Sequence, residues 1–286
     1  MAAELMEGTE LAREIVTRSA ARATDLEAST GIRPCLATVI VGDDPASVTY
    51  VRMKENRCSQ AGISSRHVGL PAATTTAELV QVMSGLSADP AVHGILLQHP
   101  VSPQIDERAA FEAIAPAKDV DGVTMHSFAA IAFGSPGFAS CTPGEIMRLL
   151  DAYDVDPGGK HAVVLGRSPI LGKPVGMLLL GRDATVTYCH SKTRDLPDVV
   201  RTADIVVAAV GRPEFVRGDW IKPGAVVVDA GYDPGNVGDA AFAEALDRAS
   251  LITPVPGGVG PMTIAVLLEQ TVDAAIEQTK SRAFDL

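Results

Sequence analysis

Aromatic side chains are scarce in this chain. They make up 4% of 286 residues, with one tryptophan, against a hydrophobic content of 47%. A core must therefore be filled by aliphatic side chains, and there are enough of them for a globular protein. Basic charge is also short: 24 lysines and arginines stand against 35 acids, for a net charge of -11. No lysine or arginine block appears, which excludes a nucleic acid or an anionic membrane as an expected partner. A small anion is not excluded, since a few local cations suffice. The four cysteines (Cys35, Cys58, Cys141, Cys189) are far apart and include no Cys-x-x-Cys pair. They read as reduced, mostly buried thiols of a cytoplasmic protein. Apolar runs such as Ile205 to Val210 are far too short to span a bilayer, and Met1 to Ile15 carries early acids and no signal-peptide core. The six histidines show no short metal-ligand spacing, so no metal is expected. A Gly-x-Ser-x-Gly nucleophile elbow is missing too.

What is present is alternation. Cys35 to Val41 is a continuous apolar run and predicts a buried strand, broken by Gly42-Asp-Asp-Pro45. Helical spacing predicts helices over Gly8 to Thr24, Ala46 to Ala61, Thr76 to Leu86 (with a threonine-rich cap) and Asp106 to Ile114. Further strands are predicted at Ser65 to Leu70 and Gly94 to Gln98. After a glycine- and proline-rich stretch at Phe133 to Phe138, which predicts a domain boundary, Thr142-Pro-Gly-Glu145 fits a capped helix start. A second series follows, with strands at His161 to Gly166, Ala184 to Cys189, Ile205 to Val210, Ala225 to Ala230 and Leu251 to Thr253. Helices are predicted at Pro174 to Leu180, Leu196 to Thr202 and Pro261 to Lys280. Strands alternating with helices imply parallel sheets joined by crossovers, and the length implies about two domains.

Gly166-Arg-Ser-Pro-Ile-Leu-Gly172 lies between a predicted strand and a predicted helix. Free N–H groups at that helix start would favour a phosphate. The spacing is not G-x-G-x-x-G, so the strand-loop-helix context carries the reading. NAD-binding domains usually place an acid after the second strand, for the ribose hydroxyls. Here the segment reads Cys189-His-Ser-Lys-Thr193, with hydroxyls and a cation instead. With Arg167 nearby, that combination suits a 2′-phosphate and implies NADP rather than NAD.

Other polar residues recur at structural punctuation. Tyr50 and Lys54 are four apart and share a helix face. Gln98 ends a strand, where ligands bind in open α/β sheets. Asp121 sits in an Asp-Gly turn. Together they could hold a flat heterocycle and move a proton. Taken singly they read as a solvated helix face, a strand cap and an Asx-turn. Pro254-Val-Pro-Gly-Gly-Val-Gly-Pro261 is either a plain connector or a loop that lets backbone approach a ligand.

In combination these segments resemble the bifunctional methylenetetrahydrofolate dehydrogenase/methenyltetrahydrofolate cyclohydrolase family, over nearly the whole chain. The resemblance implies two α/β domains with parallel sheets and an active-site cleft between them. Residues 1–140, completed by a C-terminal helix at 261–286, would form the folate-binding catalytic domain. Residues 141–260 would form a Rossmann-like NADP-binding domain. Tyr50 would stack on folate, Lys54 would be the catalytic lysine with Gln98 bonded to it, and Asp121 would anchor the pterin. Pro256, Gly257, Gly258, Val259 and Gly260 would line the folate site. Gly166, Arg167, Ser168 and Ser191 would hold the cofactor phosphates, with Tyr232 near the nicotinamide. The resemblance also implies tetrahydrofolate substrates and a homodimer. Three features depart from it: His99 in place of leucine, Asp233 in place of asparagine, and a short segment from Asp233 to Asp239.

Overall fold

The computed structural model describes residues 2–42, 56–233 and 235–284. Most of the helix expected over 46–61 lies outside these residues; 56–60 are helical. The chain divides into two compact units. One comprises Arg13–Ala130, Pro136–Ala139 and Ile264–Leu286, and the other Met1–Ala12, Ile131–Ser135 and Ser140–Thr263. In chain order the strands are β1 (Glu4–Leu5), β2 (Cys35–Val41), β3 (Ser64–Leu70), β4 (Gly94–Leu97), β5 (His161–Leu165), β6 (Thr185–Cys189), β7 (Ile205–Ala208), β8 (Val226–Asp229) and β9 (Leu251–Ile252).

The unit that begins at Arg13 contains a parallel sheet in the order β3-β2-β4. β2 is central and its middle five residues are buried, as a strand covered on both faces must be. β3 is an edge strand and mostly exposed. The helix Thr76–Ala88 starts with a full capping box. The Thr75 hydroxyl accepts from the Glu78 N–H, and the Glu78 carboxylate accepts from the Thr75 N–H at 2.8 Å. Such a cap stabilises a helix by about 1 kcal/mol. The last helix, Met262–Phe284, ends in this unit. It buries Leu268, Val272 and Ala275. The Gln270 amide donates to the Val120 and Ala139 carbonyls, and the Gln278 amide to those of His93 and Ala117. Arg18 pairs with Glu269, but its side chain is 59% exposed, so the pair adds at most about 1 kcal/mol. Apolar burial, at about 1.5–3 kcal/mol for a leucine, does most of the holding.

The other unit contains a parallel sheet of six strands in the order β1-β9-β8-β7-β5-β6. β7 is buried along its whole length, and so are the valines of β8. Val163, Leu165, Val206, Val227 and Ile252 belong to one aliphatic core, which replaces the missing aromatics. β1 belongs to this sheet: Glu4 and Leu5 pair with Leu251 and Ile252. Residues 1–140 therefore do not stay together, because the N-terminal strand adds an edge to the second sheet. The capping box expected at Thr142 does not form. The helix runs Cys141–Ala152, its first i→i−4 bond joins the Gly144 N–H to the Ser140 carbonyl, and Ser140 makes no side-chain cap. Glu145 is buried and accepts from the Thr263 hydroxyl at 3.1 Å instead.

Candidate active site and nucleotide pocket

In the six-stranded sheet the chain goes from β5 outward to β6, then crosses to β7 on the other side of β5. Strand order thus reverses between β5 and β7, the place where ligands settle in open parallel sheets. A cavity of about 460 Å³ lies there, lined by Gly166, Arg167 and Ser168 after β5, His190 and Ser191 after β6, and Val210 and Arg212 after β7. Gly166 is obligatory. Its φ is +136°, and a Cβ would lie 2.3 Å from the Ala209 carbonyl oxygen.

The phosphate loop differs from expectation in one respect. Ser168 takes the amides that the helix Gly172–Leu180 was expected to offer. Its hydroxyl accepts from the N–H groups of Leu171 (3.1 Å) and Gly172 (3.3 Å), and its carbonyl accepts from Lys173 at 3.0 Å. Pro174 has no N–H. The first turn's donors are therefore spent within the loop, and Ser168 acts as its cap. The positive helix end still faces this region, but charge for an anion comes from exposed side chains, chiefly Arg167.

The loop after β6 is also self-capped. The Thr193 hydroxyl accepts from the His190 N–H at 2.9 Å, and His190 Nδ1 accepts from the Lys192 N–H at 3.1 Å. This leaves Ser191 and Lys192 exposed. Burial pushes the Cys189 thiol up from its ordinary pKa, opposed by a hydrogen bond with Thr193. A cavity of this size with a hydroxyl, a guanidinium and no acid from the β6 loop fits a phosphorylated dinucleotide. Arg212, whose guanidinium lies 4.7 Å above the Phe215 ring, is a cavity cation that no sequence motif marks.

In the three-stranded sheet the order reverses between β2 and β4. Tyr50 and Lys54 follow β2 in sequence but lie outside the described residues. Gln98 follows β4 and is half-buried; its N–H continues the ladder to Val39 O (2.8 Å), and its amide donates to its neighbour's carbonyl, His99 O (3.0 Å). His99 packs edge-on against Phe111, with ring centroids 6.1 Å apart. Asp121 is a half-buried turn residue before Gly122, whose φ is +65°. Its neighbour Val120 packs at the start of β4, since a Cβ on Gly94 would lie 2.7 Å from a Val120 methyl. Described geometry thus fixes Gln98 and Asp121 but does not assemble the four-residue set.

Two other charged groups of the Lys118–Gly122 stretch are structural. The buried Lys118 amine donates to Asp89 O at 2.6 Å. Asp119 is fully buried and accepts from the backbone of Val123 and Thr124 and from the hydroxyls of Thr124 and Ser127.

Two family models match the chain. One, described as the catalytic domain of tetrahydrofolate dehydrogenase/cyclohydrolase, matches residues 6–121. The other, described as the NAD(P)-binding domain of the same enzyme, matches residues 140–279. The chain belongs to the tetrahydrofolate dehydrogenase/cyclohydrolase family. It is 75% identical over 276 residues to the bifunctional protein FolD 1 of Streptomyces avermitilis, covering 96% of each chain. Among solved structures it resembles the bifunctional FolD of Campylobacter jejuni, with a TM-score of 0.93 and 42% identity over 96% of this chain and 99% of that one. The Trypanosoma brucei enzyme, solved with NADP cofactor and an inhibitor, gives a TM-score of 0.92 and 39% identity, covering 98% of this chain and 99% of that one.

Within this family reading, the remaining expected residues are distributed unevenly. Tyr232 is 73% exposed and donates to Asn236 at 3.0 Å. It stands in the loop after β8, one strand beyond β7, and does not line the cavity described above. Asp233 closes that short loop, with its N–H donating to Val237 O at 2.9 Å. In the glycine segment, Gly258 and Val259 are buried, while Pro256 and Gly260 are exposed. The Gly8 N–H donates to Gly257 O at 2.9 Å, which ties the loop to the N-terminal segment. Any contact of Val259 with a ligand would therefore come from its backbone rather than its side chain.

Proposed function

We propose that the chain oxidises 5,10-methylenetetrahydrofolate to 5,10-methenyltetrahydrofolate with NADP⁺, then hydrolyses the product to 10-formyltetrahydrofolate. The observation that carries this is the cavity at the β5/β7 reversal, joined to family membership over both units. When bound there, NADP⁺ would supply the acceptor for the hydride that leaves the methylene carbon. Arg167 and the exposed Ser191 hydroxyl hold the 2′-phosphate, and the missing acid after β6 removes the group that would repel it. Tyr232, further along the carboxyl edge, meets the nicotinamide end.

On the folate side, Tyr50 stacks on the ring system and Asp121 accepts from the pterin amide edge. Hydride transfer needs alignment more than acid or base. Hydrolysis adds water to the methenyl carbon, opens the ring at one nitrogen and must move a proton. Lys54 is the group proposed for that proton, with Gln98 orienting its amine. The backbone of Pro256 to Gly260 borders the folate site.

The protein is proposed to be a cytoplasmic homodimer that accepts folate polyglutamates and binds neither nucleic acid nor membrane. Among the described residues no helix is long and apolar enough to cross a membrane. Light scattering at micromolar concentration tests the dimer. For the activity, the chain is incubated with methylenetetrahydrofolate and NADP⁺. Reduced cofactor and formyl product, read back as the methenyl form in acid, are expected. Cofactor reduction without formyl product would remove the second activity, and neither would remove both.

A further inference from the structure

The turn after β7 forms one wall of the nucleotide cavity, and a single carboxylate holds it from behind. Asp239 is fully buried. One of its oxygens accepts from the N–H groups of Val210 (2.5 Å) and Gly211 (3.1 Å), the other from Arg212 (2.8 Å). Three successive backbone donors around one anion make a nest. Val210 and Arg212 both line the cavity. The grip extends down the chain, because the Glu214 N–H donates to Gly238 O and the Val216 N–H to Asp239 O, each at 2.9 Å. Those two residues flank Phe215, on which Arg212 rests.

Asp239 is itself held. Asp229, at the end of β8, accepts from the N–H groups of Asp239 (2.9 Å), Ala240 (2.8 Å) and Gly231 (2.9 Å). Glycines make room for both acids. A Cβ on Gly231 would lie 2.4 Å from the Asp239 carboxyl carbon, and one on Gly238 would lie 2.1 Å from an Asp229 oxygen. Burying two carboxylates in succession is costly unless each is fully hydrogen-bonded. Here the turn after β7 supplies the bonds to Asp239, and the backbone of Gly231, Asp239 and Ala240 supplies those to Asp229; charge-assisted bonds of this kind are about twice as strong as neutral ones.

We propose that Asp239 is a positioning residue for cofactor binding. It fixes the turn after β7, so that the wall made by Val210 and Arg212 is set before NADP arrives. It also engages that turn's three amides and leaves the phosphates to Arg167 and Ser191, which line the same cavity. The proposal rests on the NADP reading above.

The test is Asp239→Asn, which keeps the shape but removes the charge and turns a donor toward N–H groups. Three quantities are read on the full-length protein: the NADP dissociation constant by calorimetry without folate, the thermal midpoint, and hydrolysis of methenyltetrahydrofolate with no NADP present. The NADP dissociation constant is expected to rise at least tenfold more than the hydrolysis rate falls. Equal losses in both, tracking the thermal midpoint, would make Asp239 a general structural support and overturn the proposal. An unchanged dissociation constant would overturn it as well. Should the variant not fold, amide exchange on the ligand-free wild type decides: Gly211 and Arg212 are expected to be protected, and exchange at exposed-loop rates would overturn the proposal. Wild-type protein that fails to bind NADP would instead remove the reading beneath it.

Discussion

Asp119 and Asp121 stand two residues apart in one loop, and their replacement should have opposite consequences. Asp119 is fully buried and accepts four hydrogen bonds: from the N–H groups of Val123 and Thr124, each at 3.0 Å, and from the hydroxyls of Thr124 (2.7 Å) and Ser127 (2.5 Å). In Asp119→Ala the hydroxyls can turn elsewhere, but two buried backbone donors lose their acceptor. At about 1–3 kcal/mol each, the loss is about 4 kcal/mol. For a protein of this size 1 kcal/mol shifts the thermal midpoint by about 2–4 °C, so the midpoint should fall by about 10 °C. Asp119→Asn keeps one acceptor and should lose about half as much. Asp121 is half-buried. Asp121→Ala should lose clearly less stability but weaken folate binding by about 2 kcal/mol, or roughly thirtyfold, as the pterin loses a charge-assisted partner. NADP binding without folate should survive. The assays are thermal unfolding by circular dichroism at neutral pH and folate KM for each activity. An Asp119→Ala midpoint within 2 °C of the parent would refute the hydrogen-bond accounting. A collapse of NADP binding in Asp121→Ala would make that residue structural.

Lys54→Met keeps length and apolar stem but removes the amine; hydrolysis of methenyltetrahydrofolate should fall at least about a hundredfold, and the dehydrogenase step less, when each is started from its own substrate. Ser191→Asp places a negative charge at the proposed 2′-phosphate site and should weaken NADP⁺ at least tenfold more than NAD⁺; equal losses for both cofactors would remove Ser191 from that site. Burial, with a contribution from the neighbouring Asp239 charge, raises the Asp229 pKa from 3.8 to about 6 against three backbone hydrogen bonds. The folded protein then holds this proton more tightly than the unfolded chain, so the stabilising contribution is complete below pH 3.8 and lost as pH rises through about 6. That window corresponds to about 3 kcal/mol, and the stability-against-pH curve of Asp229→Asn should lack this falling component relative to the parent.

The parts of the fold that sequence discloses are those with strong local signals. β2, β5, β7 and β8 are aliphatic runs because both faces of a parallel sheet are covered, and the Thr75 cap precedes a periodic helix. The missed elements lack such signals. β1 is two residues long and is a strand only because β9 offers it an edge. The helix Met125–Phe133 has little polar face to mark it, and Phe242–Leu246 is barely more than one turn. The Gly166–Gly172 loop was legible as a turn, yet its amides were not available as expected, because Ser168 caps them. Asp-Val-Asp-Gly does not say which aspartate is buried. Asp239 reaches back 27 to 29 residues to its three donors, and no local pattern encodes such a partnership.

A common logic connects the two acids that sequence left unmarked. In the six-stranded sheet the candidate chemistry lies where strand order reverses, between β5 and β7; in the other unit the loop carrying Asp121 packs against the start of β4. Both segments are irregular, since neither helix nor ladder continues through them, and their amides need acceptors. Water could satisfy them, but a wall satisfied by water is free to move. A buried carboxylate accepts from several consecutive amides at once and holds a turn in one geometry. Asp239 does so for the turn after β7, and Asp119 does so for the loop carrying Asp121. Where a ligand is to be gripped by side chains such as Arg167, Ser191 or Asp121, the backbone presenting them is best fixed by an internal anion. Replacing that anion with a neutral side chain should first loosen the grip on the ligand at Asp239, whose turn lines a cavity. At Asp119, whose loop is packed under the last helix through Val120 and Gln270, stability should be lost first.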